Sequence, residues 1–538
     1  MRMRRLAALA GLLLMMPGQA PAQNAAARGM VIASDKAASE AGLAILRQGG
    51  SAADAAVAAA LALTVVAPQS ASPGGAASAL SYRIQSHDVV AWDGSAIAPA
   101  AAGPGLFLDR DGMAMKLAAV RPGGRAVAAP GMLPMLEALH RDQGRLSWAQ
   151  VAAPAIELAD KGFAVSADLA HALAETDANP SPTQLRNAPL ADTLRQIAAS
   201  GADAVMRGPI ASDIATMVRN DASPGLLTTD DLAAYPPPVR KPLCTQYHGL
   251  VVCAPGSPSL GGVELIRSLG VLDRANLPRL DPAGAQSATM LLRAWLLGQQ
   301  ATQGLADEEF APDALGIITA PPRLAVDAKL IELPLPTSSA AALAALAGPP
   351  MLAPQDSGVT VLAVDSDGNA VSLALSLHSR FGSRLLAHGF ALNDSLAGFA
   401  AQPESDGVAQ ANRVEGGKRP LEAMTPVIVL DERGHLRLVL GAEDGEEGAV
   451  LEAQMLLRSI DFHQSPSAVA AAPSWRIDNG VLTLEDGDGA RLVLDEMRQS
   501  GMSPRLAPRA SHAGLIAWFE SGAEGAPTMP AEMGSGRQ

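Results

Sequence analysis

Apolar residues recur at helical spacing from Ala37 to Gln48 (AASEAGLAILRQ), and Gly49-Gly50 supplies a C-terminal stop. Ser51 with Asp54 opens a second helix in capping-box fashion, through AAVAAALAL to about Thr64. So many alanines predict close helix packing rather than a ligand surface. Residues 68–77 (PQSASPGGAA) form a small-residue loop, and 81–93 alternates as strands do. Further helices are predicted over 131–142, 148–161, 227–235, 263–272 and 287–303. Between about 304 and 354 the pattern weakens around Pro321-Pro322 and Pro349-Pro350, which predicts a surface connector. Beyond it lie two hairpins, 359–364 with 370–377 across the turn Ser366-Asp367-Gly368-Asn369, and 425–430 with 436–440. A helix over 450–460 follows. Helices before and after blocks of antiparallel hairpins predict an α+β protein whose sheets carry helices on their outer faces.

The first residues change the picture of where this protein works. Met1 to Arg5 is basic, Leu6 to Met16 is an apolar run, and Ala20-Pro21-Ala22 fits a small-x-small cleavage site. The run is shorter than the about 20 residues a membrane span needs. We expect a signal peptide over 1–22 and a periplasmic or secreted mature chain that does not stay in the membrane.

Composition excludes more than it identifies. The formal charge is −14, and loss of Arg2, Arg4 and Arg5 with the leader would move it to −17. An acidic chain lacks the basic surface that phosphate tracking requires, so no nucleic-acid partner is expected. With 48% hydrophobic and 17% charged residues, disorder is not expected either.

Both cysteines lie in PLCTQYHGLVVCAP, a strand-turn-strand pattern with His248-Gly249 as a two-residue turn. Counting outward from that turn places Cys244 opposite Cys253. Cα atoms at a non-hydrogen-bonded pair approach to about 4.5 Å, close enough for a disulfide. The alternative is two separate buried thiols. Such a bridge would be structural, since it closes only a short loop.

No generic catalytic motif is present: the chain lacks GxGxxG, a Walker loop, HExxH, CxxC and GxSxG, and its nine His show no ligand spacing. Neither metal nor cofactor is implied. The basic turn Gly416-Gly417-Lys418-Arg419-Pro420 reads as a loop, and the acidic run Glu443 to Glu447 as a solvated loop without EF-hand spacing.

Taken in order, these segments resemble the gamma-glutamyltransferase family of N-terminal nucleophile hydrolases. The resemblance rests on SEAGLAILRQGGSAADAAVAAALALTVVAPQS (39–70), GRLSWAQVAAPAIELADKGFAVSADLA (144–170) and GLLTTDDLAAYPPPVRKPL (225–243). It continues through VDSDGNAVSLALSLHSRFGS (364–383), GFALNDSLAGF (389–399) and KRPLEAMTPVIVL (418–430). It runs from about 28 to 470, and the last forty residues match poorly. It implies a four-layer αββα sandwich, built here from a large-subunit-like segment (23–355) and a small-subunit-like segment (356–538). It further implies self-cleavage that frees an N-terminal Thr, whose hydroxyl attacks a γ-glutamyl amide while its own amine acts as base.

Position by position, the polar residues of that machinery are replaced. Counting back from Asp365, the nucleophile falls on Gly358 and the accompanying His on Thr360. Ser357 is the candidate replacement nucleophile, but a one-residue slip turns a strand side chain to the opposite face unless a bulge re-aims it. Thr360 keeps the face and sits about 6.6 Å further along. The carboxylate-gripping Arg corresponds to the region of Ser95, and the amine-holding Asp to Gly398. Paired serines fall on Glu422 and Ala423, and the Gly-Gly oxyanion hole on Asp444 and Gly445. Ser376 retains a hydroxyl where the family has Thr, His378 replaces its Asn, and Arg419 is kept. The expectation is an exported family member with a degraded site, poor or inactive on glutathione-like substrates. The alternatives are a divergent self-processing hydrolase of a small-molecule amide or peptide, and a scaffold for an unknown protein partner.

Overall fold

The computed structural model describes residues 29–537 apart from 177–181, 237–238, 276–284, 333–350, 352, 354, 444, 479–480, 488, 500–502, 510–511, 520–521 and 529–533. The expected leader lies outside the described residues. The strands used below are β1 (Met30–Ala33), β2 (Ala76–Arg83), β3 (Asp88–Gly94), β4 (Val239–Arg240), β5 (Leu243–Tyr247) and β6 (Leu250–Ala254). Further along come β7 (Val359–Val364), β8 (Ala370–Ser376), β9 (Val427–Asp431), β10 (Leu436–Ala442), β11 (Ala513–Phe519), β12 (Gly522–Pro527) and β13 (Gly534–Arg537). The helices are α1 (Lys36–Arg47), α2 (Ala52–Val66), α3 (Trp148–Lys161), α4 (Leu260–Leu272), α5 (Ala285–Ala301), α6 (Pro321–Glu332) and α7 (Glu446–Ile460).

Two antiparallel sheets hold the molecule together. One has the order β13-β1-β7-β8-β2-β3-β4, the other β12-β11-β10-β9-β6-β5. Side-chain alternation makes them a sandwich. Ile32, Leu80, Leu362 and Val364 meet Ile428, Val439 and Ile516 between the sheets. Their neighbours Val31, Ala33, Val361, Ala363 and Leu373 point the other way and pack under α1, α2 and α3. On the far side Val252, Val427, Val429 and Leu440 lie under α4, α5 and α7. The result is the αββα arrangement expected. The alanine run of α2 is buried along its whole length, and its capping box at Ser51 and Asp54 is formed.

The cysteine hairpin has the predicted register, Cys244 opposite Cys253 and Tyr247 opposite Leu250. His248 and Gly249 take φ of 47° and 81°, the left-handed pair a tight hairpin turn needs. The disulfide is formed, with Cα atoms 4.1 Å apart.

Three expectations need correcting. The supposed connector contains α6, because Pro321 and Pro322 occupy first-turn positions that need no N–H partner. Leu324, Ala328 and Ile331 of α6 pack on the second core, and Asp327 forms a buried ion pair with Arg267 of α4. The acidic run is not a solvated loop: Glu443 is buried and pairs with His512 at 3.3 Å, and α7 starts at Glu446. The poorly matching C-terminus supplies β11 and β12 to one sheet and β13 to the other. The basic turn is a loop, as expected, with Lys418 buried and its Nζ donating to Ala411 O at 2.6 Å and Arg413 O at 3.2 Å. Among the described residues no helix is long and apolar enough to cross a membrane.

Candidate active site

β7 and β8 pair without interruption from Val364↔Ala370 to Val359↔Leu375. That continuity decides which side chains reach the pocket at their open end. Counting by twos, Gly358, Thr360 and Leu362 face the second sheet, whereas Val359 and Val361 face the helices. Gly358 therefore holds the pocket-facing position and offers no side chain. Space does not require a glycine there: a Cβ would lie 3.6 Å from Leu375 O and 3.9 Å from Gln355 Nε2, ordinary contacts.

Neither neighbouring hydroxyl takes over. Ser357 is buried, and its Oγ donates to Ser70 Oγ at 2.8 Å, beside Gln69 O at 3.4 Å. Its partners follow α2, on the helix side of the sheet, and no bulge within the paired strand re-aims it. Thr360 is sealed between the sheets, where its Oγ1 donates to Leu373 O at 3.1 Å and Gly441 opposite is too close to carry a Cβ.

The remaining positions do converge. Ser376 Oγ donates to Ser357 O at 2.7 Å and accepts from His378 N at 2.8 Å. His378, at φ 77°, donates from Nε2 to Ala353 O at 3.1 Å. Burial depresses its pKa, with Asp394 acting in the opposite direction. Gly398 lies against Leu421 O, which a Cβ there would approach to 2.5 Å. An aspartate cannot be restored at 398 without moving backbone. Gly445, at φ 57°, precedes α7 and lies so close under Gln355 O that a Cβ would stand 2.0 Å from it. Asp444 lies outside the described residues.

Gln355 is the residue sequence reasoning missed. It is buried, its Oε1 accepts from Ala423 N at 2.9 Å, and its Nε2 donates to Ser357 O at 3.2 Å. With Gly358, Ala423, Thr425, Glu443 and Gly445 it lines a narrow cleft that leaves only about 10 Å³ free. Nothing in its local pattern marks it, since its partners come from residues 357 and 423.

A second small cavity, of about 20 Å³, lies beside Asp93, Ser95, Arg240, Ser259 and Glu422. Asp93 was also missed, and it organises this region. Its carboxylate pairs with Arg240 and, at 3.1 Å, with Arg419, while Oδ1 accepts from Ser95 N at 3.0 Å. Arg240 and Arg419 also meet Asp307 and Glu309, so both cations already have carboxylate partners. Burial, reinforced by the Asp93 charge, pushes the Glu422 carboxyl up to about 8; the Ala96 N–H, Ser95 and Arg419 oppose the shift. Glu422 is therefore mostly a neutral acid at pH 7 and brings no positive charge to the cavity. Among the described residues no group of three His, Cys, Asp or Glu could hold a metal.

The gamma-glutamyltranspeptidase family model matches residues 38–531. The chain belongs to that family. The match extends well past 470, so β11 and β12 are part of the family fold rather than an appendage. The glutathione hydrolase proenzyme of Escherichia coli is 29% identical over 527 residues, covering 90% of this chain and 89% of that protein. Glutathione hydrolase 2 of Arabidopsis thaliana is 29% identical, covering 83% of this chain and 79% of its own length. Among solved structures, a cephalosporin acylase from Bacillus halodurans superposes with a TM-score of 0.82 at 23% identity, over 97% of this chain and 99% of that one. That likeness shows a shared N-terminal nucleophile hydrolase fold.

Proposed function

We propose that this chain is an exported gamma-glutamyltranspeptidase family member that does not carry out N-terminal nucleophile chemistry. The observation that carries the reading is the direction of the side chains around Gly358. The pocket-facing position has no side chain, Ser357 is turned to Ser70, and Thr360 is enclosed. A hydroxyl does line the cleft, that of Thr425, but it donates to Ala423 O. It also sits mid-chain, with no terminal amine of its own to act as base. The pairing of Arg240 and Arg419 with Asp93 and Asp307 weighs further against a ligand presenting an α-carboxylate. Export is supported by the leader-like first 22 residues and by the disulfide. The retained function is that of a binding scaffold for a protein partner rather than for a small amide, because the Gln355 side chain occupies the cleft.

Intact-mass analysis of the purified mature protein, under denaturing conditions, tests this. One unbroken chain from about residue 23 to the C-terminus is expected, with no release of product from γ-glutamyl anilides. Two fragments meeting at residue 357 or 358, abolished by Ser357→Ala, would overturn the reading in favour of a self-processing hydrolase.

A further inference from the structure

The cleft at Gly358 is not merely vacant of a nucleophile; it is filled, and by a particular chemical group. Gln355 is 6% exposed and presents a primary carboxamide to two backbone groups of opposite character. The Ala423 N–H donates to the carboxamide oxygen at 2.9 Å, and the Ser357 carbonyl accepts from its nitrogen at 3.2 Å. One donor wall and one acceptor wall suit an amide and little else. A carboxylate would set a lone pair against Ser357 O, and an apolar group would leave the Ala423 N–H unpaired, while Ser357 O would keep only its bond from Ser376 Oγ at 2.7 Å. The segment is anchored on both sides: Ala353 N donates to Ala397 O at 3.0 Å, and Asp356 N to His378 O at 3.1 Å. The amide nitrogen is the second-nearest group to where a Cβ at 358 would stand.

We propose that this cleft is a primary-carboxamide binding site whose ligand is supplied in cis by Gln355, so that the intact chain keeps it closed to carboxamides from solution. The inference rests on the reading of an uncut chain given above. It adds that removing one side chain opens the site, and that the opened site prefers an amide to the matching acid.

Acetamide reproduces the Gln355 side chain from Cγ outward, the atoms that Gln355→Ala removes, and is the probe, with acetate as its control. Gln355→Ala should lower the thermal midpoint, and acetamide should then raise it saturably, as expected for a ligand that binds only the folded state. The wild-type midpoint should not respond, and acetate should raise neither. An equal response of both proteins, no response of either, or an acetate effect matching that of acetamide would overturn the proposal. Should Gln355→Ala not fold, hydrogen exchange at the Ala423 amide of the wild type decides. Protection comparable to the neighbouring sheet supports the cis occupant, and exchange at the rate of an open loop overturns it. An intact chain with failed rescue sinks this inference alone. A chain cut at 357 or 358 sinks the reading above and the cis occupant with it.

Discussion

At the scale of single residues, the site is defined by which groups are held neutral and which are boxed in. The Glu422 carboxyl is raised to about 8 in the folded protein, above an unfolded value near 4.3. The folded state therefore holds a proton that the unfolded state releases first, and stability falls as pH rises between those two values. A gap of that size corresponds to a few kcal/mol, on the order of 1.4 kcal/mol per pH unit. Urea unfolding at pH 5 and pH 8.5 should show this loss in the wild type, and Glu422→Gln should remove most of the difference. Gly358 and Gly398 make a complementary pair. Gly358→Ala has room for its Cβ and should fold with a nearly unchanged midpoint. Gly398→Asp must displace Leu421 O, with an expected cost of about 1–3 kcal/mol or more, read as a lower denaturation midpoint.

At the scale of elements, α6 shows how a buried charge pair fixes a segment with a weak sequence signal. Arg267 is fully buried, and Asp327 is the carboxylate it meets across the α4–α6 contact. Asp327→Ala would leave the guanidinium without that partner, at a cost of about 3–5 kcal/mol; a denaturant titration measures it. The cysteine hairpin is a second case. Its bridge should leave both thiols unreactive toward an alkylating reagent in the unfolded, unreduced protein. Here the sequence was most legible: the turn residues, the opposition of Cys244 and Cys253, and most helix limits follow from local pattern alone. What was not legible depended on distant partners. The helix behind Pro321 looked like a joint because proline serves both roles. Glu443 looked solvated because His512 is far along the chain. Gln355 and Asp93 carried no signal because what they meet is set by tertiary packing.

At the scale of the whole molecule, the two sheets share strands from every part of the chain. β13 pairs with β1 residue for residue, Ala33 opposite Gly534 and Met30 opposite Arg537. β11 lies against β10 from Leu438↔Ala517 to Ala442↔Ala513. A truncation after residue 504 would strip the edge of one sheet and one neighbour of β1 in the other. It should abolish the cooperative unfolding transition and send the product to aggregates, as judged by calorimetry and light scattering.

The order of the first sheet has one more consequence. β1, β2, β3 and β4 come from before residue 355, β7, β8 and β13 from after it, and the two groups are interleaved as β13-β1-β7-β8-β2. A break in the peptide bond near residue 357 would thus separate nothing. The halves would stay stitched edge to edge, with the hydrodynamic radius and circular dichroism spectrum of the unbroken protein. Neither half, expressed by itself, has a complete sheet to fold around.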